Sequence, residues 1–193
     1  MTTRTAMKAL LAAATTGALA LAAAPAPAAA AVPARAGATA RQAVYHEIVL
    51  GSLEALDLEE SGEDEVRIEI KAQDGEHWYA WPTNEDEIDT KRYTCWILTS
   101  SAEGCSPGSV RRAGGPYAHV YAPEGARFVI EVWEDDHIGD DRLLQIPVQV
   151  HGPGDISGSS PAGKGFDYRL TARLVTAEWI TPPAGAELLR APS

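Results

Sequence analysis

The chain has 193 residues, 45% of them hydrophobic and 22% charged, and carries a formal net charge of −11. An acidic balance works against nucleic acid and anionic lipid, both of which are gripped by basic patches. Past the N-terminal region no apolar run approaches the roughly 18 residues of a membrane helix.

At the N-terminus Arg4 and Lys8 precede an apolar stretch from Ala9 to Ala24. Small residues follow, with A-x-A sites at Ala26-Pro27-Ala28 and Ala34-Arg35-Ala36. This pattern predicts a signal peptide over 1–36 and a secreted, extracellular mature chain. Cleavage leaves 13 basic and 27 acidic residues, a net charge of −14. The mature chain has no basic run beyond the pairs Lys91-Arg92 and Arg111-Arg112. Divalent cations and cationic partners suit it better than nucleic acid. Roughly 155 residues remain, which suits one domain around a single core.

Residues 37–43 read as a linker, and strand patterns then follow one another. Val44 to Leu56 is the first, with a bend suggested by Gly51 and Ser52. Val66, Ile68 and Ile70 alternate with Arg67, Glu69 and Lys71 as in a half-buried strand. His77 to Trp81, Arg92 to Thr99, Tyr117 to Tyr121, Arg127 to Trp133, Leu143 to Val150 and Phe166 to Ala177 complete about eight candidates. In the last of these Tyr168, Leu170, Ala172 and Leu174 share one face. Gly, Pro, Asp and Ser separate the strands, and no long amphipathic helix interrupts them. The pattern predicts an all-β fold, an antiparallel β-sandwich over 44–179, with 180–193 trailing off as a C-terminal tail.

Two acidic loops stand out against these strands. One lies between the first two strands and contains Asp57, Glu59, Glu60, Glu63, Asp64 and Glu65. The other follows Phe128 to Trp133 and contains Glu134, Asp135, Asp136, Asp140 and Asp141. A calcium ion takes about six to eight oxygen ligands, and strand ends can gather carboxylates to supply them. A twelve-residue EF-hand loop starting at Glu134 would place Gly139 correctly, but Ile138 and Gln145 fall at ligand positions and the flanks read as strands.

On these residues the sequence resembles a C2-type calcium-binding β-sandwich over Val49 to Ile70 and Phe128 to Val150. In that family one loop carries an Asp after a leucine-rich strand and another just before the next strand, where Asp57 and Asp64 stand. A later strand ends in Asp-x-Asp with a further Asp before the following strand, where Glu134, Asp136 and Asp141 stand. The resemblance implies calcium as cofactor, bound by Asp57, Asp64, Glu134, Asp136 and Asp141, with Glu59 and Asp140 as reserves. The chain departs from the family at Glu134, where an Asp is usual, at Glu65-Val66, where Pro-Tyr is usual, and at Leu144, where a Gly is usual. The family's basic lipid-binding strand has no counterpart, so membrane contact is expected only through bridging calcium.

Cys95 and Cys105 are the two cysteines of the chain, and an exported protein pairs them as a disulfide. The five histidines are scattered, with no pair at metal-ligand spacing. Gly158 to Lys164 matches the start of a P-loop, but Gly165 takes the hydroxyl position and a strand follows, so it reads as a flexible loop. No nucleophile elbow or catalytic cysteine pattern is present, and a non-enzyme is expected. Trp78, Tyr79 and Trp81 offer an alternative, a carbohydrate-binding surface of aromatic rings, although strand alternation sends Trp78 to the opposite side. The expectation is therefore a secreted, non-enzymatic, calcium-binding module for a protein, glycan or cell-surface partner. The rivals are a carbohydrate-binding module and a metal-free protein-interaction or inhibitor domain.

Overall fold

The computed structural model describes residues 43–84, 86–100, 104–135, 139–178, 184 and 186–189. The segment anticipated as a signal peptide and nearly all of that anticipated as a linker lie outside the described residues, as does Asp136. Among the described residues are twelve strands: β1 (Tyr45–Asp57), β2 (Glu63–Ala72), β3 (His77–Trp81), β4 (Ile88–Lys91), β5 (Thr94–Ile97), β6 (Val110–Ala113), β7 (Val120–Pro123), β8 (Arg127–Glu134), β9 (Asp141–Gln149), β10 (Gly154–Ser159), β11 (Asp167–Thr176) and β12 (Glu187–Leu188). They form two sheets, a β-sandwich with no helix among the described residues. The first sheet has the order β10-β11-β1-β5-β6, with β7 beside β1 and β12 beside β7. The second has the order β3-β2-β8-β9, with β4 beside β2. Pairing is antiparallel except between β5 and β6 and between β7 and β12, which are parallel.

β1 pairs with β11 along its length, and on its other side with β7 and then β5. Ile48 and Leu50 are buried before Gly51, and Leu53 and Ala55 after it, so the inward parity changes from even to odd. A bulge between Leu50 and Ser52 makes the change. Only glycine fits there, because a Cβ on Gly51 would lie 2.6 Å from Thr171 Oγ1 and 3.0 Å from the Thr171 carbonyl oxygen. The apolar faces of β1 and β11 meet Val66, Ile68, Ile70, Phe128, Ile130 and Val132 of the second sheet in one core. A second bulge lies opposite Val132 and Trp133, and buries the consecutive residues Leu143 and Leu144.

The eight anticipated strands become twelve by the addition of β4, β6, β10 and β12, short segments whose sequences carry no apolar alternation. Gly158 and Ser159 belong to β10 instead of a flexible loop. The segment anticipated as a trailing tail returns to the fold. Its Glu187–Leu188 pairs with β7, Leu189 is buried, and Trp78 Nε1 donates to Glu187 Oε2 at 3.0 Å. Cys95 of β5 is bonded to Cys105, which fastens the chain ahead of β6. Beneath that span Glu54 accepts hydrogen bonds from Ser106 N at 2.7 Å, Ser106 Oγ at 2.9 Å and Ser109 Oγ at 2.5 Å.

Trp81 corrects the carbohydrate-contact expectation. A bulge between Ile68 and Glu69 places Trp78 opposite Ile70 and Trp81 opposite Ile68, both on the inner face. Trp81 is 1% exposed, donates to the Gly114 carbonyl at 2.5 Å and packs against Trp96 at 5.6 Å. Tyr79 stands opposite Glu69 on the outer face, edge-on to His77. The three rings form no common platform. Trp81→Ala should lower unfolding free energy by about 3–5 kcal/mol through loss of a fully buried ring. Urea denaturation would show this as a lower midpoint at unchanged slope.

Candidate functional site

The acidic loops come together because β2 and β8 are neighbours in the second sheet. Val66 stands opposite Glu134, and the Asp135 amide donates to the Glu65 carbonyl at 3.1 Å. The β1–β2 loop and the start of the β8–β9 loop therefore share one end of the sandwich. Asp64 and Glu134 continue the inward faces of their strands past the last apolar positions, and both are buried, at 0% and 2% exposure. From the opposite sheet Tyr168, fully buried, reaches the same place.

Tyr168 Oη donates to Asp64 Oδ2 at 2.6 Å. The Glu59 amide donates to Asp64 Oδ2 at 2.9 Å and the Glu60 amide to Oδ1 at 3.2 Å, so Asp64 also folds the first acidic loop over itself. Burial pushes the Tyr168 phenol far above its ordinary range; the bond to Asp64 and the negative charges of Asp64, Glu134 and Glu59 push it the same way. The phenol is held as a donor. Of the seven anticipated metal ligands, Asp64 thus bonds this hydroxyl, and Glu134 and Glu59 lie near enough for their charges to act on it.

The other anticipated ligands have different surroundings. Asp57, half exposed, forms an ion pair with Arg92 at 3.1 Å. Asp140 forms an ion pair with Arg67, which also bonds Glu69 at 2.8 Å and Glu87 at 3.0 Å. Asp141 is exposed at the start of β9, opposite Glu134 in register. Among the described residues no three of His, Cys, Asp and Glu are grouped so as to hold a metal ion. The donor chemistry is nevertheless all oxygen, which fits a hard cation.

Sequence reading passed over the cations that organise these loops. Arg67 is on the outward side of β2, where it reads as an ordinary solvated charge. Its guanidinium instead ties β2 to the β3–β4 and β8–β9 connections. Burial works against the Arg67 charge, but the bonds to Glu69 and Asp140 outweigh it and raise the pKa. The bond from Arg67 is the main cause that holds the Asp140 carboxyl below its usual range. Tyr168 was legible only as an inward strand residue, since nothing local reveals which group its hydroxyl meets.

Farther along the same outer face, Glu131 is buried beneath longer side chains. It pairs with Lys71 at 2.8 Å and Arg142 at 3.0 Å, and accepts hydrogen bonds from Trp133 at 3.1 Å and Gln145 at 3.2 Å. Lys71 lies 4.4 Å from the centre of the Trp133 ring and Arg142 lies 5.9 Å from it. Burial raises the Glu131 pKa, while Lys71 and Arg142 lower it by more, so the net shift is downward.

No family model matches the chain, and no curated protein matches it. A solved structure described as "Structure of a C2 domain" is similar with a TM-score of 0.40 and 12% sequence identity, covering 68% of this chain and 98% of that one.

Two outcomes follow from these contacts. Tyr168→Phe keeps the ring but removes a donor from buried Asp64, and should destabilise the fold by about 1–3 kcal/mol in urea denaturation. Glu131 and Asp140 both titrate lower when folded, so the unfolded chain binds more protons as the pH falls below about 4.5. Their stabilisation is present above that range and is lost on acidification through the folded pKa values. Glu131→Gln should therefore flatten the acid limb of a plot of stability against pH, while lowering stability at pH 7.

Proposed function

We propose that the chain is an exported, non-enzymatic β-sandwich binding module whose acidic end takes a calcium ion. The observation that carries this reading is the meeting, at one end of the sandwich, of two buried carboxylates on neighbouring strands: Asp64 of β2, which accepts the Tyr168 hydroxyl, and Glu134 of β8. Enclosing neighbouring carboxylates costs free energy that hydrogen bonds offset only in part. A hard divalent cation offsets more. Asp64 and Glu134 would hold it together with Asp57, Asp136 and Asp141, the oxygen set that the C2 resemblance implies, with Glu59 and Asp140 in reserve. The ion would supply positive charge and join the two loops. Asp57 would have to exchange Arg92 for the metal, and Tyr168 would remain a donor behind the ligands. Export rests on the N-terminal sequence pattern, and the partner class is an extracellular protein, glycan or cell-surface component.

Calcium affinities of extracellular modules correspond to dissociation constants of about 0.1–1 mM. Free calcium at ten times that constant would stabilise the fold by about 1.4 kcal/mol, a melting shift of about 3–6 °C for this chain length. Thermal melts at fixed ionic strength should show that shift with calcium and a smaller one with magnesium. Glu134→Gln should remove most of it, while Glu76→Gln, in the β2–β3 turn, should leave it intact. Equal shifts with both ions, unaffected by Glu134→Gln, would overturn the calcium reading.

A further inference from the structure

The basic pairs Lys91-Arg92 and Arg111-Arg112 are far apart in the sequence, and the pairing of β5 with β6 brings them to one corner. Thr94 stands opposite Val110, Cys95 opposite Arg111 and Trp96 opposite Arg112. Lys91 is neutralised by Glu63 at 2.9 Å and Arg92 by Asp57 at 3.1 Å. Arg111 has no ion-pair partner among the described residues, and Arg112 lies over the Trp96 ring at 6.0 Å. Among the described residues neither charge has an ion-pair partner. The Debye length is about 8 Å at physiological ionic strength, so a docking group responds to these charges more than to the protein's net negative charge.

Among the described residues β6 is also an open edge. It ends the order β10-β11-β1-β5-β6, and all four of its residues are exposed. The Val110 amide donates to the Tyr93 carbonyl at 2.7 Å and the Gly114 amide to the Ile97 carbonyl at 2.8 Å. Alternate residues of a ladder turn their backbone groups to opposite sides, so Arg111 and Ala113 direct theirs away from β5. Their side chains alternate as well, placing Arg111 on one face of the edge and Arg112 on the other. Tyr93 and Val110, 50% and 56% exposed, adjoin at the start of this edge.

We propose that β6 is a docking edge for an extended acidic segment of a partner protein, which adds to the first sheet as a further strand. The incoming main chain would bond to the outward groups of Arg111 and Ala113, as in β-strand addition. Adjacent carboxylates on the incoming strand would face opposite sides and meet Arg111 on one and Arg112 on the other, each a charge-assisted contact. Tyr93 and Val110 would supply apolar contact beside them. This edge does not require the calcium site.

The test uses the mature chain and a labelled ten-residue peptide with a central Glu-Asp pair flanked by Thr and Val. Comparison probes are the same peptide with Lys for its acidic residues, the peptide with Pro at alternate positions, a heparin fragment and phosphatidylserine vesicles. Fluorescence anisotropy should show binding of the acidic peptide alone. Arg111→Glu and Arg112→Glu should each weaken it by about tenfold or more. Ala113→Pro, which removes an outward amide, should weaken it with the arginines intact. All three variants should retain the parent's circular dichroism. Hydrogen exchange should slow at the Arg111 and Ala113 amides of the parent when peptide is bound. No peptide binding, binding unaffected by the charge reversals, equal binding of the proline-containing peptide, or binding of heparin or vesicles in place of peptide would overturn the proposal.

Discussion

Where the inward faces of β2 and β8 run out of apolar residues, the sandwich encloses carboxylates, and the hydrogen bond from Tyr168 to Asp64 makes that closure possible. A buried carboxylate without donors is costly, whereas three donors leave little of its hydrogen-bonding demand unmet. Asp64 receives one donor from the opposite sheet and two from its own loop. The same bonds therefore join the sheets and set the course of the first acidic loop. Arg67 performs a related task outside, where one guanidinium gathers Glu69 of its own strand and groups from two connections of the second sheet.

Much of the sandwich is legible from side-chain alternation. Val66, Ile68 and Ile70 alternate without interruption, as do Tyr168, Leu170, Ala172 and Leu174, and their strands form as anticipated. Gly51 also signals its bend correctly, because the close Thr171 backbone leaves no room for a side chain. Alternation fails where a bulge intervenes. Trp78 and Trp81 are three residues apart, so a regular strand would separate them, yet the irregularity opposite Ile68 and Glu69 turns both inward. A strand of two residues such as β12 offers no period at all.

The acidic loops show the same division. Their composition and position at strand ends are local facts, readable from the chain. Their meeting depends on β2 lying beside β8, and the choice of partners depends on contacts across many residues. Asp57 and Asp140 resemble Asp64 in sequence setting, yet the first two face guanidinium groups and the third faces a phenol. Carboxylates of similar local pattern thereby acquire different chemistry. The outer face of the second sheet carries this further, because Glu131 is buried by the very side chains that neutralise it.

The central place of β1 has a consequence for how the fold comes into being. Its main partner is β11, with His46 opposite Thr176 and Ala55 opposite Tyr168, so the first strand of the sandwich waits for one of the last. Pairings between distant parts of a chain require large loops to close before contacts reward them, and folds dominated by such pairings assemble in about milliseconds to seconds. During synthesis the first sheet cannot be completed until β11 has left the ribosome. Until then the side of β1 that β11 will cover stays open, although every strand but β11 and β12 has already been made.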